Sequence, residues 1–251
     1  LFITNSYWSY GLLALAGICA GAINAVAGGG SLISFPTMLA LGIPAIPANA
    51  TNAVALWPGS LASVWGYREE AKGLWQVTLW LTIPSIIGAL LGAWLLLHTP
   101  EKLFNRTVPV LILLATVLLC FQPKIKKLLD KKQTNNFWLG FSLQLLVSIY
   151  GGYFGAGMGI MMLALLGFCV VGDINRLNAV KTILGTIINV IASMFFISSG
   201  MVIFLPGIAV GIGAIIGGYS APRLAKKVHP TYVRYFVVTI GFILTIIKFI
   251  Y

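Results

Sequence analysis

Apolar residues in this chain run in long unbroken stretches, not in the alternating or every-third patterns of a soluble strand or half-buried helix. Trp75 to Leu97, Val108 to Phe121 and Tyr232 to Tyr251 are examples, and such stretches recur along the whole length. About 20 apolar residues let an α-helix cross the hydrocarbon of a bilayer. Two further stretches are cut by glycines into pieces too short to span. The pattern predicts helices over roughly 9–26, 31–43, 48–67, 75–97 and 102–121, then 137–155, 160–172, 175–198, 203–222 and 231–250.

The pattern repeats. Ala27-Gly28-Gly29-Gly30 matches Ala156-Gly157-Met158-Gly159, and at the same offset Asn49-Ala50 matches Asn178-Ala179. Further on, Gly88-Ala89-Leu90-Leu91-Gly92 resembles Gly213-Ala214-Ile215-Ile216-Gly217, each followed by a His with a nearby Pro. The expected organisation is a membrane repeat over 1–121, a basic linker over 122–135 and a second repeat over 136–251. Each repeat holds a Gly-broken helix pair followed by three spans. The expected fold class is therefore an all-α, polytopic membrane bundle.

Composition agrees. Of 251 residues 59% are hydrophobic and only 8% charged, against roughly 25% charged in soluble domains, and the mean hydropathy is +0.97. The net charge of +11 does not imply a nucleic-acid partner, because the basic residues sit in short clusters between apolar runs, where they act as topology signals. If each broken pair begins and ends on one side, the two repeats are inverted. Arg68, Lys72, Lys124, Lys126, Lys127, Lys131, Lys132, Arg176, Arg223, Lys226, Lys227 and Arg234 then share one face, against Lys102, Arg106 and Lys248 on the other. Parallel repeats would split the same residues almost evenly. The inverted plan puts the linker in the cytoplasm and both termini outside, as in many secondary transporters. Cys19, Cys120 and Cys169 lie in apolar runs without CxxC spacing, so they read as small buried apolar residues and not as metal ligands or a disulfide framework. The opening at Leu1 shows no recognisable signal peptide and leaves room for native residues before it.

Candidate chemistry concentrates at the breaks. Gly28, Gly29, Gly30 and Ser31, with Gly155, Gly157 and Gly159 in the second repeat, let the chain unwind, and a helix starting afterwards points N–H groups and a positive dipole end at the gap. Close helix packing through small residues is the competing reading. The next span begins with Asn49, Thr51 and Asn52 in one repeat and Asn178, Lys181 and Thr182 in the other. Pro47 and Asp173 suit helix starts. Lys181 lies two turns into an apolar helix, at the position matching Asn52, where an ionisable residue is a functional candidate; snorkelling to the cytoplasmic face is the alternative. Every acidic residue (Glu69, Glu70, Glu101, Asp130, Asp173) falls in a loop or at a helix end, as do His98 and His229. An anion site of helix ends, amides, hydroxyls and one lysine is thus better supported than a cation site, a carboxylate relay or an intramembrane hydrolase. No cofactor or metal is expected.

Gly21, Ala27-Gly28-Gly29-Gly30-Ser31-Leu32-Ile33, Pro36, Gly42, Ala50-Thr51-Asn52 and the Gly-Ala-x-x-Gly run of each repeat together resemble the sulfite exporter TauE/SafE family over essentially the whole chain. The chain departs from the fuller glycine run at Met158 and lacks a second-repeat counterpart of Pro36. The resemblance implies transport of sulfite, organosulfonates such as sulfoacetate, thiosulfate or related anions across a bacterial inner membrane. The expected partners are such an anion and the lipid bilayer, with a homo-oligomer left open. Transport of another anion such as a carboxylate, a membrane-embedded enzyme and a scaffold are the alternatives.

Overall fold

A computed structural model describes residues 7–26, 29–129, 137–169, 174–224, 235, 238–243 and 245–246. Nine helices are defined among them: α1 (Tyr7–Val26), α2 (Ser31–Ala40), α3 (Ala45–Gly66), α4 (Trp75–His98), α5 (Glu101–Leu129), α6 (Phe137–Tyr153), α7 (Met158–Cys169), α8 (Ile174–Ser198) and α9 (Phe204–Leu224). No strand occurs among the described residues. Five helices, α1, α4, α5, α8 and α9, are long and apolar enough to cross a membrane. The expected span over 231–250 and the 223–231 loop lie largely outside the described residues, as does Gly28.

The helices are inside-out compared with those of a soluble bundle. Along α4 most buried positions are small or polar, Thr78, Ser85, Gly88, Ala89, Gly92 and Ala93 among them, with Leu81, Pro84 and Leu96 the exceptions. Leu79, Ile83, Ile87 and Trp94 face outward. Lipid is as apolar as leucine, so there is no gain from hiding large side chains, and close backbone approach through small ones holds the helices together. A Cβ on Gly17 would strike the backbone of Val210, and one on Gly21 that of Ala214; Gly213 and Gly217 of α9 press in turn on Ala14 and Ile18. Residue numbers rise together along both helices, so α1 and α9 run parallel. In the same way Gly88 meets Leu145 and Ser148 while Gly92 meets Ile149 and Gly152, making α4 and α6 a second parallel pair. α3 also runs with α9, Gly207 lying by Thr51, Gly211 by Ala55 and Gly218 by Gly59.

Local chemistry sets the short elements. α2 ends in a Schellman turn, with Gly42 at φ 83°, its N–H on Leu39 O at 3.0 Å and the Ile43 N–H on Met38 O at 3.1 Å; only glycine takes that backbone readily. Pro44 at φ −58° and ψ 152° then opens α3, so Pro47 lies within the first turn and not at its start. α5 continues to Leu129 instead of stopping at 121: Pro123 lacks an N–H, but the lysines and leucines after it are good helix formers. At the turn between α3 and α4, Arg68 stands over the Trp65 ring at 5.0 Å and Glu69 pairs with Lys72. The Lys72 hydrogen bond and charge hold the Glu69 carboxyl below the usual carboxylate range. An exposed tryptophan beside paired charges marks a membrane–water boundary. Contrary to the sequence expectation, Cys19 and Cys120 are exposed; on a bundle whose outer surface meets lipid, a small apolar side chain is at home there too.

The glycine contacts carry a direct test. Gly213→Leu must push α1 and α9 apart and should lower the thermal midpoint of the detergent-solubilised protein and its monodisperse yield. Gly11, in α1 with nothing near its missing Cβ, is the control: Gly11→Ala should be neutral or stabilise by about 0.5–1 kcal/mol through helix propensity. Equal effects at both positions would remove close packing as the cause.

Candidate functional site

Two helices stop inside the bundle. α1 ends at Val26 and α6 at Tyr153, and the last carbonyls of a helix have no partner within it. In water solvent would serve; within a bilayer other protein groups must. Lys181, 3% exposed, performs this task for α1. Its ammonium Nζ donates to the carbonyls of Asn24 and Ala25, 3.2 Å each, and to Asn178 Oδ1 at 2.9 Å. A cation at a helix C-terminus is favoured by the dipole as well. At the end of α6, Asn49 Nδ2 donates to the Tyr153 carbonyl at 2.9 Å. Asn49 lies in the second turn of α3 and Lys181 two turns into α8, so the first turns of each of these helices bind the end of a helix from the other part of the chain.

A small polar cavity of about 20 Å³ lies beside Lys181, between α1, α3, α7 and α8. It is lined by Asn24, Ala25, Ser60, Ser63, Met158, Gly159, Met162, Lys181, Thr182, Gly185 and Asn189. That is room for about one or two waters. Asn24 Nδ2 donates to Ser60 Oγ at 3.1 Å, and Ser63 Oγ bridges to Gly59 O at 2.9 Å and to Gly218 O of α9 at 3.0 Å. Thr182 Oγ1 is used by the Asn178 carbonyl at 2.7 Å. Asn189, 9% exposed, borders the cavity with no hydrogen-bond partner among the described residues, leaving its amide for an occupant. α7 begins at this wall: Gly155 and Gly157, at φ 77° and 75°, turn the chain so that the helix starts with Met158 and Gly159 facing the cavity. A Cβ at Gly157 would also collide with Ala115.

The cavity thus gathers Gly159, Lys181 and Thr182, with Asn178 holding Lys181 from behind. It does not gather the other described sequence candidates. Gly29 is packed by Leu32, Leu119 and Ile160, and Gly30 lies on the Ala20 carbonyl. Ser31 starts α2. Asn49 is spent on Tyr153; Thr51 Oγ1 accepts from the Ile203 N–H at 2.9 Å, fixing the approach to α9; Asn52 Oδ1 accepts from Ser34 Oγ. Asn24, Ser60, Ser63 and Asn189 were not singled out by sequence. Asn189 carried a usable signal, an amide in the middle of an apolar helix on the same face as Lys181; Asn24 and Ser60 carried none beyond polarity.

A lysine, an amide and a helix start thus line one polar cavity in a helical bundle with several apolar spans. The sequence model of the sulfite exporter TauE/SafE family matches residues 13–247, and the chain belongs to that family of membrane transporters. It is 29% identical to a probable membrane transporter protein of Haemophilus influenzae over 243 residues, covering 93% of this chain and 92% of the relative. A probable membrane transporter protein, ORF9, of a Sinorhizobium species is 28% identical over 87% of this chain and 85% of its own. The probable membrane transporter protein YfcA of Escherichia coli K12 is 25% identical over 94% and 87% respectively. No solved structure matches the chain.

Asn52 and Ser34 form a buried pair outside the cavity, and their role can be measured. Asn52→Ala and Ser34→Ala should each lower thermal stability modestly, and the double variant should cost less than the two singles added. A coupling of about 0.6 kcal/mol is usual for such pairs in membranes. Additive losses would show that the two side chains act independently.

Proposed function

We propose that this transporter moves a small sulfur-containing anion, such as sulfite, an organosulfonate or thiosulfate, outward across the bacterial inner membrane, and that the anion occupies the cavity between Lys181, Asn189 and the start of α7. The observation that carries this reading is Lys181 itself. Its ammonium borders the cavity together with the unpartnered Asn189 amide, and no carboxylate lies among the lining residues to compete for it. Helix starts facing anionic groups near a break are a recurring device of secondary transporters. The sulfur specificity and the direction rest on the family's description as sulfite exporters. The cavity has room for about one or two waters, less than these anions need, so loading requires α7 or α8 to draw back.

The inverted plan of the two halves has structural support. The repeat matches α6 to α1 and α4 to α9, and the two tightest glycine-packed pairs are α1 with α9 and α6 with α4. Each pair combines a first-half helix with a second-half one, and both are parallel. Two halves related by a two-fold axis produce such pairs, and the bias of the basic residues favours an axis in the membrane plane. Single-cysteine labelling in intact cells tests it, in a background with Cys19, Cys120 and Cys169 replaced. Lys102→Cys should react with an impermeant external reagent and Lys72→Cys should not; the reverse, or labelling of both, is incompatible with the plan.

Substrate is tested by flux into liposomes with sulfite, thiosulfate, sulfoacetate, sulfate and acetate. Sulfur anions should be carried, and Lys181→Ala should abolish their transport while the protein remains folded, removing about 2–5 kcal/mol of binding. Lys181→Arg should rescue in part, since the wider fork fits poorly where a compact ammonium sat. No response to any sulfur anion removes the proposal; a fully active Lys181→Ala removes the site.

A further inference from the structure

We infer that Lys181 is the site of a proton carried with the anion, so that an anion enters the cavity together with one proton, taken up by the amine to form the ammonium that pairs with it. The inference rests on the anion site proposed above and goes beyond it by naming the coupling ion and the atom that holds it.

The argument is one of charge balance. Lys181 is 3% exposed, and its three partners, the Asn24 and Ala25 carbonyls and Asn178 Oδ1, are all neutral. An ammonium taken out of water keeps a penalty of several kcal/mol that neutral acceptors offset only in part. The groups facing it from each packed helix bring no compensating charge. α1 presents Asn24 and Ala25, α3 presents Ser60 and Ser63, and α7 presents Met158, Gly159 and Met162. Its own helix adds Asn178, Thr182, Gly185 and Asn189. Among the described residues, Tyr67 at the end of α3 packs on Ala179 and Tyr150 of α6 packs on the cluster that holds Met158 and Met162, and both are neutral phenols; Arg176 lies further back, beside Gly73. Without an anion the ammonium has no oppositely charged partner among the described residues; with an anion beside it, the charge is paired. An anion that stabilises the protonated amine must, by reciprocity, bind more tightly when the amine is protonated. Each anion then draws in one proton, and a monovalent anion crosses as a neutral pair. No step needs a carboxylate relay.

Isothermal titration calorimetry of the full chain in detergent tests this, with ethanesulfonate and thiosulfate as probes because neither changes protonation between pH 6 and pH 9. Runs in buffers of different ionisation enthalpy give the protons exchanged per anion bound. The expected result is uptake approaching one proton per anion at alkaline pH, with affinity falling about tenfold per pH unit there. Lys181→Arg stays charged throughout, so any binding it retains should be independent of pH and release or take up no proton. Anion binding by the parent chain without proton uptake overturns the coupling and leaves the anion site intact. Proton uptake that persists in Lys181→Arg overturns the assignment to Lys181. Failure of both anions to bind at pH 6 overturns the coupling and the anion site together.

Discussion

A helix that stops among packed helices leaves carbonyl groups that bulk water does not serve, and each one left unsatisfied away from water costs several kcal/mol. The organisation of this protein follows from meeting that demand twice. α1 and α6 both end in the interior, and each is closed by a side chain from the helix start of the opposite half: Lys181 for Asn24 and Ala25, Asn49 for Tyr153. These bonds join the halves at the points where each is broken, so the breaks and the union of the halves depend on the same contacts. A side chain substituted at either position would disturb both.

The two solutions are not equal. Asn49 is a neutral donor and closes its helix end without leaving a charge. Around it the first-half elements are filled by aromatic rings: Phe154 stacks edge-on to Phe35 at 5.3 Å, and Tyr153 packs on Phe104 at 5.7 Å. Lys181 has three donors and is bordered by small residues, Gly159 and Gly185, and by the open amide of Asn189. The matching sequence segments thus have different surroundings, and the cavity described above lies beside the Lys181 segment. Substitution of Asn52 by Lys181 in the second copy is the change that makes the difference chemical as well as spatial.

Much of the frame was legible because membrane helices announce themselves through length and composition alone. The predicted boundaries fall within a few residues of α1–α4 and α6–α9, and the glycine clusters mark where α1 and α6 end. The direction of side chains was far less legible. Residues 49–52 and 178–182 lie at matching positions and share a polar character, yet Thr51 faces α9 and Asn52 faces Ser34 while Lys181 and Thr182 face the cavity. A helix that is apolar nearly all round gives no periodic signal of which face looks inward. The lipid-facing cysteines fail for the same reason: hydrophobicity places a residue in the membrane without saying whether it meets lipid or protein.

The contact types also divide the bundle mechanically. Within α1, α3 and α9, and within α4 and α6, backbones touch through glycine, and packed backbones have no rotamers with which to yield. The cavity lies elsewhere, where α1 and α3 meet α7 and α8 through Asn24, Ser60, Met158, Met162 and Lys181. Side chains, two of them flexible methionines, make that seam, and a hydroxyl or amide can exchange one partner for another there at little cost. A solute bound at the proposed site beside Lys181 would therefore meet a seam of side chains and not of packed backbones. It also competes with the carbonyls of α1 for the same ammonium, so occupation of the cavity and the closure of the α1 end draw on one group.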